Sequence, residues 1–247
     1  MGNACERFVV RADGLPLFVL GPDFMPMSST SLRVFEPRYK QMMDDCILSG
    51  EPFGYISQDP EKEDIGGWSQ PASYGVMAHI EEYEESGSNL LISVSSGLRF
   101  RVKEVIRPIL DNDIAGMHFP TVDELMDRAG GDGSGKLYVS CDAEVIERIV
   151  HNHDQEDYLS FVDYVSPLEN LIRVSSMYRG QLLDYDSYST TEDGDDQERF
   201  LWQVSTSLIG SVWIQQQMLA AVTTTDLMQV CVEAANDIMA ALSNEED

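Results

Sequence analysis

Apolar and polar residues alternate along much of the segment from residue 15 to residue 119, which is the pattern of half-buried β-strands. The clearest alternation of apolar residues with cations runs through Leu98, Arg99, Phe100, Arg101, Val102 and Lys103. It predicts an antiparallel strand with apolar side chains on one face and cations on the other. Residues 15–20, 75–80 and 89–94 are predicted as further strands.

Short polar segments predict how these strands connect. Residues 84–88 combine Glu, Ser and Gly and predict a hairpin turn, and residues 95–97 predict a second one. Three consecutive strands would then form a meander, which implies a small barrel or sandwich. Residues 59–71 and 127–136 are polar and are predicted as exposed loops.

The segment around residue 37 predicts a helix that is followed by a strand. Pro37 suits the first helical position, and Glu36 places a negative charge at the positive end of the helix dipole. Gly50 suits the left-handed residue that ends a helix. The apolar residues at helical spacing are Tyr39, Met42, Met43, Cys46 and Ile47. An extended segment begins at Gly54 and completes the order strand, turn, helix, strand.

Beyond residue 140 the spacing of apolar residues changes to that of helices. Val145, Ile149 and Val150 predict a short helix. The run Ser166-Pro167-Leu168-Glu169 has the order of a capping box, which predicts a second helix to about residue 183. Residues 184–198 are rich in Asp, Ser, Thr and Glu and predict a solvated acidic connector.

Two final helices are predicted from two apolar stripes that a break at residues 223–226 separates. The stripes consist of Leu201, Val204, Leu208, Val212, Leu219 and Val222, and of Leu227, Val230, Cys231, Ala234, Ile238 and Leu242. We expect these helices to pair as an antiparallel hairpin. The chain is therefore predicted to be of the α+β class, with a β-rich part at residues 1–136 and a helical part at residues 137–247.

The formal net charge of −27, from 43 acidic and 16 basic residues, disfavours partners that are bound through their phosphates. We therefore expect neither nucleic acid nor an anionic membrane as a partner. A nucleic-acid site would need a concentrated basic strip at Arg99, Arg101, Lys103 and Arg107. Only four residues are lysines, which fits either adaptation to high salt or an acidic protein of ordinary surroundings.

Cys5, Cys46, Cys141 and Cys231 are far apart and form no Cys-x-x-Cys pair, which favours a reducing compartment. No apolar run is long enough to cross a bilayer, and the first residues lack the pattern of a secretion signal. We therefore expect a cytoplasmic protein.

Three polar clusters invite a catalytic or ligand-binding interpretation. Residues 130–137 have the glycine and lysine spacing of a phosphate loop, but Leu137 replaces the magnesium-binding hydroxyl and a helical run precedes the cluster. A flexible loop is the prediction instead.

His151, His153 and Glu147 do not share one helical face, so we expect a solvated helix end. The aspartates of residues 184–196 lack the glycine of a calcium loop. His79 is predicted as a packing or surface residue, and so is His118.

Two further features have structural interpretations. Arg38 beside Glu36 predicts an ion pair that fixes the helix to its surroundings. Trp202 and Trp213 are eleven residues apart and face one side of a continuous helix, which predicts core or interdomain packing. The sequence therefore assigns no catalytic, metal-binding or cofactor-binding residue, and it names no residue that contacts a substrate.

A series of short motifs resembles the N-terminal, substrate-binding domain of the Lon ATP-dependent proteases. The motifs of the first part are Leu15-Pro16-Leu17-Phe18-Val19-Leu20, Met25-Pro26-Met27, the block from Phe35 to Cys46, and Pro52-Phe53-Gly54. They continue with Gly75-Val76-Met77-Ala78-His79-Ile80, Asn89-Leu90-Leu91-Ile92 and Gly97-Leu98-Arg99-Phe100-Arg101-Val102. Trp202, Leu208 and the run Gln215-Gln216-Gln217-Met218-Leu219 are similar to the family's terminal helical part.

The resemblance implies a PUA-like antiparallel β-barrel joined to a helical bundle, a domain that engages substrate polypeptides in the full protease. The sequence has no stretch similar to the ATPase module or to the serine and lysine catalytic dyad of that protease. It also lacks the zinc-ligand cysteines of cereblon and a RING finger. We therefore expect a standalone Lon N-terminal-like protein that is not an enzyme and has no cofactor.

The leading hypothesis is a binding module that recognises polypeptide segments or a protein of a proteolysis system, through strand edges and the groove between barrel and helices. The alternative is a small-molecule-binding or hydrolytic protein on the same scaffold, because a fold does not fix function. A deep pocket with converging polar side chains would favour that alternative.

Overall fold

The computed structural model describes residues 11–64, 66–111, 121–129, 135–178 and 184–244. The elements of this part of the chain are β1 (Arg11–Leu20), β2 (Ser29–Val34), α1 (Pro37–Ser49), β3 (Phe53–Gln58), β4 (Pro71–Ser86), β5 (Asn89–Ile106), α2 (Val122–Ala129), β6 (Ser140–Ile146), α3 (Gln155–Val165), α4 (Glu169–Tyr178), α5 (Tyr185–Ser189), α6 (Gly194–Ser207), α7 (Val212–Ala220) and α8 (Thr224–Asn244). A 3₁₀ turn at Ser166–Leu168 connects α3 to α4. Strands dominate the first half and helices the second, so the predicted α+β class is confirmed.

The six strands form one mixed sheet in the order β2-β5-β4-β3-β1-β6, and β6 also pairs with β5. Most pairs are antiparallel, but β1 and β3 are parallel, with Phe18 opposite Tyr55. The expectation of an antiparallel sheet is therefore wrong for this pair. A parallel pair needs a crossover connection, and β2 and α1 provide it here. Short turns in a sequence reveal only antiparallel neighbours, because parallel strands are joined by longer connections. No turn in the sequence therefore indicated the pair of β1 and β3.

The hairpin between β4 and β5 is confirmed, since Ser86 pairs with Asn89 across the turn at Gly87 and Ser88. Gly87 has a φ of 62°, a value that favours glycine. The second predicted turn, at residues 95–97, is wrong, because β5 continues through it. Between the pairs Val76–Arg99 and Ala78–Ser96, β5 contains one residue more than β4, which makes a β-bulge. The polar residues therefore bend a strand and do not end it.

Both faces of the sheet are covered by apolar side chains. Leu17, Ile56 and Phe100 belong to one cluster, whereas their neighbours Phe18 and Tyr55 belong to a larger cluster. The larger cluster also contains side chains of α1, α3, α6, α7 and α8. Alternation along the strands thus supplies two cores, one on each face.

Helix α1 follows the sequence prediction closely. It begins at Pro37 after the extended Glu36, and it ends at Gly50, whose φ of 72° is left-handed. The N–H of Gly50 donates to the carbonyl oxygen of Cys46 at 2.9 Å. The predicted apolar side is buried at Tyr39, Met42, Met43 and Cys46, and Ile47 is partly buried. This helix packs onto the larger cluster.

The short helix predicted around residue 145 is wrong, because β6 occupies Ser140–Ile146. Val145 and Ile149 fit helical spacing, but Cys141, Ala143 and Val145 also alternate as a strand requires, and short apolar runs do not distinguish the two. Strand β6 lies beyond the predicted division between residues 136 and 137, yet it pairs with β1 and β5. The division itself stays a prediction.

Several helix boundaries also differ from the prediction. The capping box is at Asp154, whose side chain accepts from the N–H of Asp157, and not at Ser166. The hydroxyl of Ser166 donates to the carbonyl oxygen of Asp163, within the preceding helix. The two predicted stripes are separated by a break, but it lies at residues 221–223 and not at 223–226, since α8 begins at Thr224. A further break at residues 208–211 separates α6 from α7. Ser211 caps α7 by accepting from the N–H of Ile214 at 3.3 Å.

The acidic segment 184–198 is not simply a solvated connector. It contains α5 and the start of α6, and Gln197 and Glu198 are buried. Its aspartates act as helix caps, since Asp193 accepts from the N–H groups of Asp195 and Asp196.

The predicted loop 59–71 is confirmed as largely exposed between β3 and β4 over its described residues, although Pro71 belongs to β4. The second predicted loop, 127–136, begins inside α2, which extends to Ala129. Within the described ranges, no helix combines the length and the apolar character that crossing a bilayer requires.

Candidate functional site

Arg99 of β5 joins the sheet to the helices. Its side chain is only 4% exposed, and the guanidinium Nη1 donates to the carbonyl oxygens of Leu219 at 2.8 Å and Ala221 at 2.5 Å. Nη2 donates to the carbonyl oxygen of Glu147 at 3.3 Å, and the guanidinium lies 5.4 Å from the ring centre of Trp202. Burial lowers the pKa of Arg99 to about 10.

This position corrects the prediction of a strand with an exposed cationic face. Leu98 is 42% exposed, whereas Arg99 and Phe100 are both buried. The reason is that helices cover the face opposite Phe100 at this point. The other predicted basic positions are dispersed: Arg101 is exposed and lies 6.0 Å from the ring of Tyr74, and Lys103 forms an ion pair with Glu144.

The groove between β4 and α7 is the first candidate site, and we call it the Trp213 groove. It has a volume of about 320 Å³ and is lined by Pro60, Ala72, Tyr74, Val212, Trp213 and Gln216, among others. The side chain of Trp213 is 70% exposed at its edge. A large aromatic residue that is this accessible beside an apolar groove is the usual anchor of a binding surface.

Two glutamines of α7 hold the walls of this groove in place. The side-chain Oε1 of Gln216 accepts from the N–H groups of Ser73 at 3.0 Å and Tyr74 at 2.8 Å, and its Nε2 donates to the carbonyl oxygen of Tyr74 at 2.9 Å. The hydroxyl of Ser57 donates to Oε1 of Gln215 at 2.5 Å. The groove is thus formed by side chains that are already fixed.

A larger cleft of about 730 Å³ lies between the loop before β2, strand β5 and helix α6, and we call it the arginine cleft. Its lining includes Met27, Leu98, Arg99, Arg148, Arg199 and Gln203. Three arginines and two glutamates line it, whereas acidic residues outnumber basic ones 43 to 16 in the whole chain. The cleft is therefore positive relative to the rest of the molecule.

Glu198 is the buried acid of the arginine cleft, with a side chain that is 5% exposed. Its Oε2 accepts from Nη2 of Arg148 at 2.6 Å and lies 3.1 Å from Nε2 of His151. Arg148 also forms an ion pair with Asp195 at 2.8 Å. The hydrogen bond from Arg148 and the proximity of His151 compensate the buried carboxylate.

The predicted solvated helix end at His151 and His153 is wrong, because both histidines lie before α3 and outside any helix. His153 is bound through Nδ1 to the hydroxyl of Thr224 at 2.6 Å and through Nε2 to Oε1 of Gln197 at 2.9 Å. No cluster of three or more His, Cys, Asp or Glu side chains with metal-binding geometry occurs among the described residues. His79 is exposed, and His118 lies outside the described residues.

The glycine cluster lies partly outside the described residues, which resume at Gly135. Lys136 forms an ion pair with Asp45 at 2.9 Å, and the N–H of Leu137 donates to Oε1 of Gln41 at 2.7 Å. The side chains of Leu137 and Tyr138 are buried. The end of this segment is therefore bound to α1.

The two structural interpretations of the sequence have different outcomes. The ion pair of Arg38 with Glu36 is confirmed at 2.8 Å, and the guanidinium also lies 4.5 Å from the ring centre of Trp68. Packing is confirmed for Trp202, which is 1% exposed, and is wrong for Trp213. The break between α6 and α7 places the two tryptophans on different helices, so their spacing no longer fixes a common face.

The sheet, the eight α-helices of the described residues and the grooves between them define a protein of the Lon N-terminal fold. Residues 14–237 match the family described as the ATP-dependent protease La (LON) substrate-binding domain, and the chain belongs to this family. No curated protein matches the sequence.

Two solved structures are similar in fold. A Lon N-terminal domain protein from Xanthomonas campestris has a TM-score of 0.55 at 18% identity, over 89% of this chain and 97% of that chain. The N-terminal domain of the Mycobacterium avium complex Lon protease has a TM-score of 0.39 at 13% identity, over 91% and 99%. The first similarity supports the fold.

Sequence reasoning missed the roles of Arg99, Gln215 and Gln216. Arg99 sits in regular alternation with other cations, so only the helices packed over it distinguish it. The run of three glutamines at residues 215–217 was the available signal, because consecutive amides in an apolar helix need partners.

Proposed function

We propose that this chain is a non-catalytic module that binds apolar segments of polypeptides in the Trp213 groove. The observation that carries the proposal is the exposed Trp213 beside an apolar groove whose walls are fixed by Gln215 and Gln216. Membership of a substrate-binding family supports the same function.

The groove suits an extended chain with an apolar side chain at its centre. Ala72, Tyr74 and Val212 offer apolar contact area, and the exposed indole of Trp213 adds an aromatic surface at the edge of the groove. Aromatic residues in such positions often supply much of the binding free energy of an interface. Partners are then polypeptides or a protein of a proteolysis system; nucleic acid and membranes are not proposed as partners.

We extend the proposal to the fold and the location. The pairing of β6 with both β1 and β5 supports a closed, PUA-like barrel.

Burial raises the pKa of the unpaired thiols of Cys46, Cys141 and Cys231 to about 12, so these thiols stay protonated and unreactive near neutral pH. Unpaired thiols are compatible with the cytoplasm.

The test measures binding of short uncharged peptides, acetylated and amidated at their ends, by fluorescence anisotropy. We expect a peptide with alternating Leu and Phe to bind and its Ser-substituted version to bind weakly. Trp213→Ala should weaken the binding by about tenfold or more, because it removes the exposed anchor. The matched control is Leu48→Ala, which removes a side chain that is 87% exposed on α1.

Two outcomes would contradict the proposal: equal binding of the apolar and Ser-substituted peptides, or unchanged affinity in Trp213→Ala. Intrinsic fluorescence gives a second readout. Since Trp202 is buried and Trp213 exposed, a blue shift of the emission on peptide binding should disappear in Trp213→Phe. Binding of metabolites without peptides would favour the small-molecule alternative.

A further inference from the structure

The arginine cleft contains two side chains of α6 whose polar groups are unused within the described part of the chain. Arg199 is exposed and makes no hydrogen bond or ion pair there. Gln203 is 7% exposed, and its Oε1 is buried without a hydrogen-bond partner. The two residues are one helical turn apart, so both lie on the side of α6 that lines the cleft.

The unpartnered amide oxygen of Gln203 points to a ligand. Buried polar atoms are nearly always hydrogen-bonded, because an unpaired acceptor loses its hydration without compensation. An N–H or O–H donor of a bound molecule would therefore satisfy Oε1. The guanidinium of Arg199 is suited to bind an anion. A carboxylate fits best, because a guanidinium binds it with two parallel hydrogen bonds.

The opposite wall of the cleft is rigid and partly apolar. Met27 has a φ of 57°, in the left-handed region that non-glycine residues rarely adopt. Two hydrogen bonds hold this conformation: the N–H of Ser28 donates to Oγ of Ser96, and the N–H of Ser96 donates to the carbonyl oxygen of Ser28, both at 2.9 Å. Strained backbone that its surroundings hold in place is common at binding sites. Leu98 adds an accessible apolar surface.

The charges around Arg199 leave it available to an anion. Glu198 is already compensated by Arg148 and by the neighbouring His151. Arg99 is bound to backbone carbonyl groups. Glu147 is exposed, and its carboxylate makes no ion pair within the described residues. The three arginines of the cleft are thus balanced by Glu147, Glu198 and the neighbouring Asp195, so the cleft lacks the excess negative charge of a chain whose net charge is −27.

We propose that the arginine cleft binds the free C-terminal end of a polypeptide. The α-carboxylate would bind Arg199, and the N–H of the penultimate residue would donate to Oε1 of Gln203. The last apolar side chain would pack on Leu98 and Met27. The spacing fits, since one turn of α6 advances about 6 Å and an extended chain covers about that distance in two residues.

This inference rests on the proposed function in taking a polypeptide as the ligand, but it uses a different surface. The experiment compares a short uncharged peptide that ends in Leu-Leu with a free carboxylate and the same peptide with an amidated end. We expect the amidated peptide to bind about tenfold more weakly, as loss of a charge-assisted hydrogen bond requires. Equal affinities, or no binding of the free acid at millimolar concentration, would overturn the proposal.

Variants of Arg199 and Gln203 test which side chains produce the difference in affinity between the acid and the amide. Arg199→Gln should reduce the difference between acid and amide to near unity, and Gln203→Leu should weaken both peptides without lowering the unfolding midpoint, since it removes an unpaired buried acceptor. Arg33→Gln, at an exposed arginine of β2, is the matched control and should retain the difference. An unaltered difference in Arg199→Gln would refute the assignment.

The two proposals fail in different ways. Trp213→Ala addresses peptides with both ends blocked, whereas the comparison of acid with amide addresses only the terminal carboxylate. Free leucine and N-acetylleucine are further probes: if either binds as tightly as the peptide, the ligand is a small carboxylate and the polypeptide assignment is wrong.

Discussion

The phenyl ring of Phe100 occupies space that two glycines leave open. A Cβ atom at Gly54 would lie 2.6 Å from a ring carbon of Phe100, and one at Gly75 would lie 2.5 Å from it. Such distances are shorter than any carbon–carbon packing contact. These glycines are therefore required for close approach within the sheet and not for a special backbone angle. The motif Pro52-Phe53-Gly54 includes one of them.

We expect Gly75→Ala to lower the free energy of unfolding by about 1–3 kcal/mol, because the added methyl group overpacks the cluster around Phe100. Urea unfolding followed by circular dichroism measures this change. Gly210→Ala is the matched control, since no atom of the described residues lies within 4 Å of its added Cβ, and it should have little effect. Equal stability of the two variants would show that the close approach of Phe100 does not exclude a larger side chain at residue 75.

Helix α7 attaches to the sheet through polar groups as well as apolar ones. Arg99 binds the carbonyl oxygens of Leu219 and Ala221 at its C-terminal end, while Gln215 and Gln216 bind Ser57 and β4 from its middle. The C-terminal end of a helix carries unpaired carbonyl groups and partial negative charge, which a guanidinium satisfies. These contacts fix the orientation of α7, and with it the position of Trp213.

We expect Arg99→Met to destabilise the fold by at least about 2 kcal/mol, because it leaves buried carbonyl groups without donors while keeping most of the apolar volume. Urea unfolding measures the loss. A second readout is binding of the blocked apolar peptide, which should weaken as the Trp213 groove loses its support. Arg101→Met, at an exposed position of the same strand, is the control and should change neither quantity. Wild-type stability in Arg99→Met would show that the contacts to α7 contribute nothing.

The net charge of −27 acts on the molecule as a whole. Described ion pairs such as Lys136 with Asp45 and Lys103 with Glu144 compensate only part of the negative charge. The remaining repulsion opposes the compact state and is weakened by salt. The molecule therefore carries a dependence on ionic strength that its fold alone would not produce.

We expect the melting temperature to rise when KCl is added, by about 2–4 °C for each kcal/mol of repulsion that is screened. Differential scanning calorimetry from low to molar KCl measures this rise. A plateau near physiological salt would fit an acidic protein of ordinary surroundings, whereas a continued increase toward molar salt would fit adaptation to high salt. A constant or falling melting temperature would contradict a dominant role of the net charge.

The sequence by itself determined the α+β class, helix α1 with both of its ends, the hairpin at Gly87 and the family. These features follow from local signals, since caps, turns and periodicity act over a few residues. The parallel pair of β1 and β3, the strand β6 and the uninterrupted β5 were decided by contacts between distant segments. A bulge or crossover depends on the partner strand, which no local pattern specifies.

The candidate sites belong to tertiary structure for the same reason. Arg99 and Arg101 occupy equivalent places in one alternating pattern, yet helices bury the first and leave the second exposed. Trp202 and Trp213 share a predicted face, yet the break before Ser211 buries one and exposes the other. Burial of a given side chain is set by which element packs over it, and that choice arises from the summed packing of the whole chain.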